Sequence, residues 1–287
     1  MSIVKNLGEL SGPLFVFGGP YSNLEATRAA LDEAAMLGIP SERIICTGDV
    51  TAYCGSPEET STLIRQSGIH VVQGNCEESL AADREDCGCG FDGENDCSRL
   101  AVRWYDYSKI ATSSENKDWM GNLPHRLTFS FAGKKVHVLH GSDKQINQFI
   151  FPSTDPAIKQ RDLVNTGSDI IISGHSGLPF TEHVGDGVWH NAGVVGVPAN
   201  DGTPRVWYSL IEATDQGISF SHKSLTYDHA AAIRTMLKYG LDDYASSLES
   251  GIYPSQDTFA AAEKQAKGIA LHEQTIVYKH QGLANAY

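Results

Sequence analysis

Apolar runs alternate with amphipathic stretches along the first part of the chain. Leu14-Phe15-Val16-Phe17 is uninterrupted and short, which predicts a buried strand. Leu24, Ala30, Leu31, Ala34 and Ala35 recur at helical spacing and predict a helix over 24–37. RIICTGD at 43–49 predicts a strand ending in Gly-Asp. Pro57 to Gln66 predicts a helix with Ser56 at its cap, and IHVVQGN at 69–75 a strand ending in Gly-Asn. Strand and helix in strict alternation indicate an α/β fold with a parallel sheet.

The rhythm then changes. DREDCGCGFDGENDCSR at 83–99 is polar, acidic and glycine-rich, and is expected as an inserted loop. Helical spacing returns near 100–120, and RLTFSFAGKKVHVLHGS predicts a hairpin turning at Ala132-Gly133-Lys134. DIIISGHS at 169–176 reads as one more buried strand. GVWHNAGVVG, RVWYSLIEA and GISFSHKSL predict a β-rich second half, and 228–249 and 257–272 predict helices. There is no internal repeat and no low-complexity tract. The expected organisation is one domain over 1–254 and a helical C-terminal tail over 255–287.

Four of the predicted strands end alike: an apolar run, then a small residue beside a polar one. The pairs are Gly48-Asp49, Gly74-Asn75, His140-Gly141 and Gly174-His175. Ligands of open α/β sheets gather at the carboxyl ends of strands. A carboxylate, an amide oxygen and two imidazoles brought together there suit a borderline divalent metal such as Mn, Fe or Zn. Magnesium or calcium would call for more oxygen ligands.

Charge narrows the partners. Thirty-five acids against 22 bases give a formal net charge of −13. Such a surface disfavours nucleic acid and anionic membrane, while a small anionic substrate remains accessible where a metal inverts the local sign. No apolar run reaches the ~18 residues of a membrane span. The start, MSIVKNLGELSGP, lacks the pattern of a secretion signal. The expectation is a cytoplasmic protein whose six cysteines are thiols or metal ligands rather than disulfides. Homo-oligomerisation is left open.

The ordered series GDV, GNCE, HGS and GHS resembles the calcineurin-like metallophosphoesterase superfamily, in its branch of small bacterial phosphodiesterases and phosphatases. SNLEA, GDVTAYCGSPEE, HGSDKQINQFIF and NAGVVGVP echo that branch's longer motifs, and the likeness covers about residues 13–254. It implies a four-layer α-β-β-α sandwich. It also implies a hydrolase of phosphate mono- or diesters, with a metal-bound hydroxide as nucleophile between two metals ~3.5–4 Å apart. Carried over by position, Asp49, Asn75, His140 and His175 complete the ligand set of one metal.

The other metal's set is lost. Its D-x-H aspartate falls on Gly19 and its histidine on Tyr21, and the last histidine of G-H-x-H falls on Gly177. All the losses fall on one centre, which implies a single-metal or rebuilt site. Tyr21, Cys87 and Cys89 are the candidate replacement ligands, with Cys97 nearby in the loop. Cys76 stands where many relatives have the histidine that protonates the leaving group, and a thiol is a weaker acid for that task. Asn23 survives from the first motif as a candidate donor to substrate phosphate. Two functions follow: a metal-dependent hydrolase of small phosphate esters with an atypical centre, or a non-hydrolytic metal- or nucleotide-binding regulatory or scaffold protein on the same fold.

Overall fold

The computed structural model describes residues 3–90 and 96–279. Its strands form two six-stranded sheets. In the first, the strands β1 (Val4–Leu10), β5 (Arg126–Phe131), β6 (Lys134–Val138), β7 (Ile170–Ser173), β9 (Gly187–Asn191) and β8 (Phe180–Val184) lie side by side in that order. The second runs β12 (Gln274–Lys279), β11 (Gly217–Leu225), β10 (Val206–Thr214), β2 (Leu14–Phe17), β3 (Ile44–Cys46) and β4 (His70–Val71). The centres are parallel: β2 pairs with β3 and β3 with β4, and β6 pairs with β7 and β7 with β9.

Alternation along the short strands explains the layering. Leu14 and Val16 of β2 face Ile170 and Ile172 of β7 in an inter-sheet core completed by Phe129, Val138 and Phe220. Phe15 and Phe17 point the other way, against Ala30 and Ala34 of helix α1 (Leu24–Met36) and Ile64 of α2 (Pro57–Ser67). On the opposite outer face Ile171 and Trp189 pack with Leu163, on a helix over Pro156–Thr166. Strands buried on both faces need the unbroken apolar runs seen in the sequence. The result is the expected α-β-β-α sandwich.

Several elements differ from the sequence reading. The β1 strand was not foreseen, because as an edge strand it is largely exposed and carries no period-2 apolar pattern. The predicted helix over 228–249 is two helices, His229–Lys238 and Asp242–Ser250, broken at Gly240, whose φ is +71°. The insert ends sooner than expected: a helix over Asp96–Ala111 begins inside it, and residues 91–95 lie outside the described residues. The tail expected as a helix over 257–272 is helical only at Ala261–Gln265. It turns at Gly268 (φ +75°) and re-enters the second sheet as β12, antiparallel to β11. Ile276, Val277 and Tyr278 fit a strand better than a helix. Among the described residues no helix is long and apolar enough to cross a membrane.

A polar seam ties the sheets together away from the strand ends. Thr181 Oγ1 lies 2.8 Å from His190 Nδ1 and 2.8 Å from His222 Nε2, and His222 Nδ1 lies 3.1 Å from Ser209 Oγ. Burial lowers both histidines, His190 well below the usual range and His222 to about 4. The unfolded chain therefore takes up protons below pH ~6.5 that the native state refuses. Their contribution to stability is full above pH ~6.5 and is lost as pH falls toward about 4. Each such histidine contributes a slope of about 1.4 kcal/mol per pH unit. Urea unfolding of wild type and His222→Asn between pH 7.5 and 5.5 checks this: across that range the variant's stability falls by about 1.4 kcal/mol less than that of wild type.

Candidate metal centre

The four candidate ligands follow the carboxyl ends of four strands, two from each sheet. Asp49 follows β3, Asn75 follows β4 and opens helix α3 (Asn75–Ala81), His140 follows β6, and His175 follows β7. All four are buried. Backbone conformation turns two of them inward: Asp49 has φ +57° and His175 φ +37°, left-handed values that cost a non-glycine residue about 1 kcal/mol or more. Gly48 is required beside them, because a Cβ there would come within 2.9 Å of His140 Nδ1 and 2.8 Å of the Gly74 nitrogen.

The four side chains converge on one atom. His140 Nε2 lies 3.1 Å from Asn75 Oδ1, 3.1 Å from His175 Nδ1 and 3.2 Å from Asp49 Oδ2. Each partner's orientation is fixed from behind. His140 Nδ1 is 2.6 Å from the Thr47 carbonyl, which makes it the protonated nitrogen of the neutral ring and leaves Nε2 with a lone pair. Asp49 Oδ1 accepts from the Cys76 backbone N–H, so Oδ2 faces the cluster. Asn75 Nδ2 donates to the Cys87 carbonyl at 3.0 Å, so Oδ1 faces it too. With His140 neutral, lone pairs from two nitrogens and two oxygens thus point at one another with no donor hydrogen between them. That arrangement is repulsive unless a proton or a cation mediates it. Among the described residues Asp49, His140 and His175 form the cluster of acid, thiol or imidazole groups able to hold a metal, their ligand atoms within 4.8 Å of one another.

The titration of the protein's own groups shows the same frustration. Burial disfavours the charge on His140, but Asp49 outweighs it and holds the imidazole above its usual value. Burial likewise opposes the Asp49 charge, yet His140 and then His175 keep that carboxyl below its usual range. His175 is driven down to about 3 by burial and by the charge on His140, so it stands as a neutral ligand.

Glu77 is a structural member that the strand-end pattern does not reveal. Its buried carboxylate accepts from the N–H groups of Asp49 at 2.7 Å, Val50 at 2.8 Å, Thr51 at 3.3 Å and Gly74 at 2.9 Å. It clamps the Asp49 loop onto the loop that carries Asn75. Burial and then Asp49 push its carboxyl up to about 7. The available signal was its place directly after Cys76 in GNCE, where the resembling family has an acid.

The remaining candidates serve the scaffold. Asn23 caps α1 by accepting from the Ala26 N–H, and its amide nitrogen donates to the Gly196 carbonyl and the Tyr227 hydroxyl. Its donors are committed within the fold. The Cys76 thiol is fully buried, and burial followed by Asp49 raises it well above the thiol range, which suits packing better than proton donation. Cys87 and Cys89 form a disulfide, which corrects the expectation of thiols or metal ligands. Gly88, at φ +63°, turns the Cys-x-Cys segment so that the two sulfurs meet. Cys89 Sγ lies 3.4 Å from Asn75 Nδ2, behind that ligand's amide. Cys97 is a buried free thiol on the helix over Asp96–Ala111.

Tyr21 lays its ring across Gly19. A Cβ on Gly19 would lie 2.4 Å from Tyr21 Cζ and 2.8 Å from Val194 Cγ1, and a Cβ on Gly177 would lie 3.5 Å from the Tyr253 hydroxyl. The ring packs edge-on against Tyr53 at 4.8 Å.

Comparison with known proteins agrees with this geometry. The model of the calcineurin-like phosphoesterase superfamily domain matches residues 22–216. An uncharacterised protein of Methanocaldococcus jannaschii is 28% identical over 241 residues, which cover 78% of this chain and 91% of that one. The fold is similar to a metallophosphoesterase from Sphaerobacter thermophilus, at TM-score 0.64 and 20% identity over 85% of this chain and 100% of that one. It is also similar to a hypothetical protein from Pyrococcus horikoshii, at TM-score 0.69 and 16% identity over 84% of this chain and 99% of that one. With the matched span enclosing all four converging ligands, the chain belongs to the calcineurin-like phosphoesterase superfamily.

Proposed function

We propose that the protein is a metal-dependent hydrolase of small phosphate mono- or diesters that works with one metal ion. The observation that carries this reading is the convergence of Asp49 Oδ2, Asn75 Oδ1 and His175 Nδ1 on His140 Nε2. The two-nitrogen, two-oxygen donor set fits Mn, Fe or Zn. A divalent ion held by these four residues supplies a water of lowered pKa and charge stabilisation for a phosphoryl oxygen.

The chain's own residues do the rest. The Thr47 carbonyl fixes the His140 tautomer, the Cys76 N–H and Glu77 fix Asp49, and the Cys87 carbonyl fixes Asn75. The buried, high-pKa Cys76 is a poor proton donor. The leaving alcohol is therefore one that departs without a strong general acid, or one protonated by water. The neighbouring position filled by Tyr21 also supports a second reading, a metal-binding module without turnover.

Assay of aryl phosphate and bis-aryl phosphate esters with manganese separates the two. The hydrolase reading expects turnover that a chelator abolishes and added manganese restores. Stoichiometric metal binding without turnover on such esters favours the binding module.

A further inference from the structure

The side chains that would surround a neighbouring cation are replaced by Gly19, Tyr21 and Gly177, yet the space beside them has not closed. A cavity of about 50 Å³ lies against His175, bounded by Tyr21, Tyr53, Tyr244 and Tyr253 with Phe149. It is about a third of the ~150 Å³ cavity that takes up benzene. Its size admits a compact group and not a ring.

The walls are well fixed. Tyr53 stacks on Tyr244 at 4.5 Å and meets Tyr21 edge-on at 4.8 Å, and Tyr253 stacks on Phe259 at 5.4 Å. Among the described residues no hydrogen bond engages the hydroxyls of these four tyrosines. Tyr21 is buried, Tyr53, Tyr244 and Tyr253 are half-buried, and all four line the cavity. A phenol is a neutral O–H donor at physiological pH. No lysine or arginine lines the cavity.

We propose that this cavity is an oxyanion subsite, in which the Tyr21 and Tyr253 hydroxyls donate to phosphoryl oxygens of an ester seated at the Asp49–Asn75–His140–His175 cluster. The inference rests on the hydrolase reading for its substrate. It assigns to neutral phenols the charge-stabilising place that a second cation would take. Preorganised donors to a charged oxygen contribute strongly in a water-poor site.

The test is calorimetric titration of manganese-loaded protein with inorganic phosphate, for wild type, Tyr21→Phe, Tyr253→Phe and the double variant. Phenylalanine keeps the rings and hence the packing. Each single variant is expected to weaken phosphate binding ~10-fold and the double variant more than ~30-fold. Metal content stays unchanged, and Tyr208→Phe, whose hydroxyl binds Glu33 on α1, has no effect. A double variant within about twofold of wild type, or a wild type that binds no phosphate, overturns the subsite. If esters are hydrolysed equally well by the double variant, the subsite fails and the hydrolase stands. If phosphate binding needs both tyrosines but no ester turns over, the subsite stands and the hydrolase fails.

Discussion

His140→Ala releases the metal and, with it, at least ~10³-fold of phosphate-ester turnover. His140 Nε2 lies within 3.2 Å of all three other ligand atoms, so its loss removes the point on which the set converges. Asp49 Oδ2 and His175 Nδ1, 4.0 Å apart, remain without their common neighbour. Dialysis against manganese followed by elemental analysis reads the loss directly, with circular dichroism to show that the fold persists. Retention of wild-type metal content would remove His140 from the ligand set.

Glu77→Gln is expected to cost about 3 kcal/mol of stability and to weaken metal binding by about tenfold. Glu77 Oε2 accepts from the N–H groups of Asp49 and Gly74, and Oε1 from those of Val50 and Thr51. Glutamine keeps the shape but must turn its NH₂ toward one of those pairs, leaving buried donors face to face. A buried donor left unsatisfied costs about 1–3 kcal/mol. The loss reaches the metal centre because Asp49 depends on this clamp to hold its left-handed backbone. The neighbouring Glu78→Gln is the control. Its carboxylate makes a surface pair with Arg84, and the change is expected to stay within about 0.5 kcal/mol. Denaturant midpoints of the two variants check the contrast, and equal midpoints would show that the clamp does not bear on stability.

The fold and the candidate site are legible in the sequence to different depths. Short apolar runs such as Leu14–Phe17 and Ile170–Ile172 announce strands covered on both faces, and the small-then-polar ends of β3, β4, β6 and β7 announce what those strands present. Asp49, Asn75, His140 and His175 could therefore be found from pattern alone, and the geometry brings them together.

Glu77 was not separated from other acids, because its role lies in backbone N–H groups from distant loops. Such partners leave no side-chain signature. The Asn23 amide looked available for substrate, but the cap it makes and its bonds to Gly196 and Tyr227 are fixed by long-range packing. The Cys-x-Cys segment looked like metal chemistry because spacing does not distinguish two sulfurs facing an ion from two facing each other. The tail was misread because its helical spacing ends at Gln265, and β12 is defined by its neighbour β11 more than by its own pattern.

Tyr21 acquires in the fold a role that its motif does not spell out. In the sequence Gly19 and Gly177 are only missing ligands. In the fold, the ring of Tyr21 lies across the space above Gly19, and the Tyr253 hydroxyl approaches Gly177. Aromatic packing surrounds both glycines, and among the described residues the Asp49, His140 and His175 cluster lies beside this tyrosine-lined cavity.

One metal per chain is expected at that cluster. Elemental analysis of protein purified without chelators, set against protein concentration from amino-acid analysis, measures it most directly. The expected ratio is about one for wild type and near zero for Asp49→Asn, whose amide gives up the anionic ligand the cation requires. A wild-type ratio of two, or a ratio of one that survives Asp49→Asn, would contradict it.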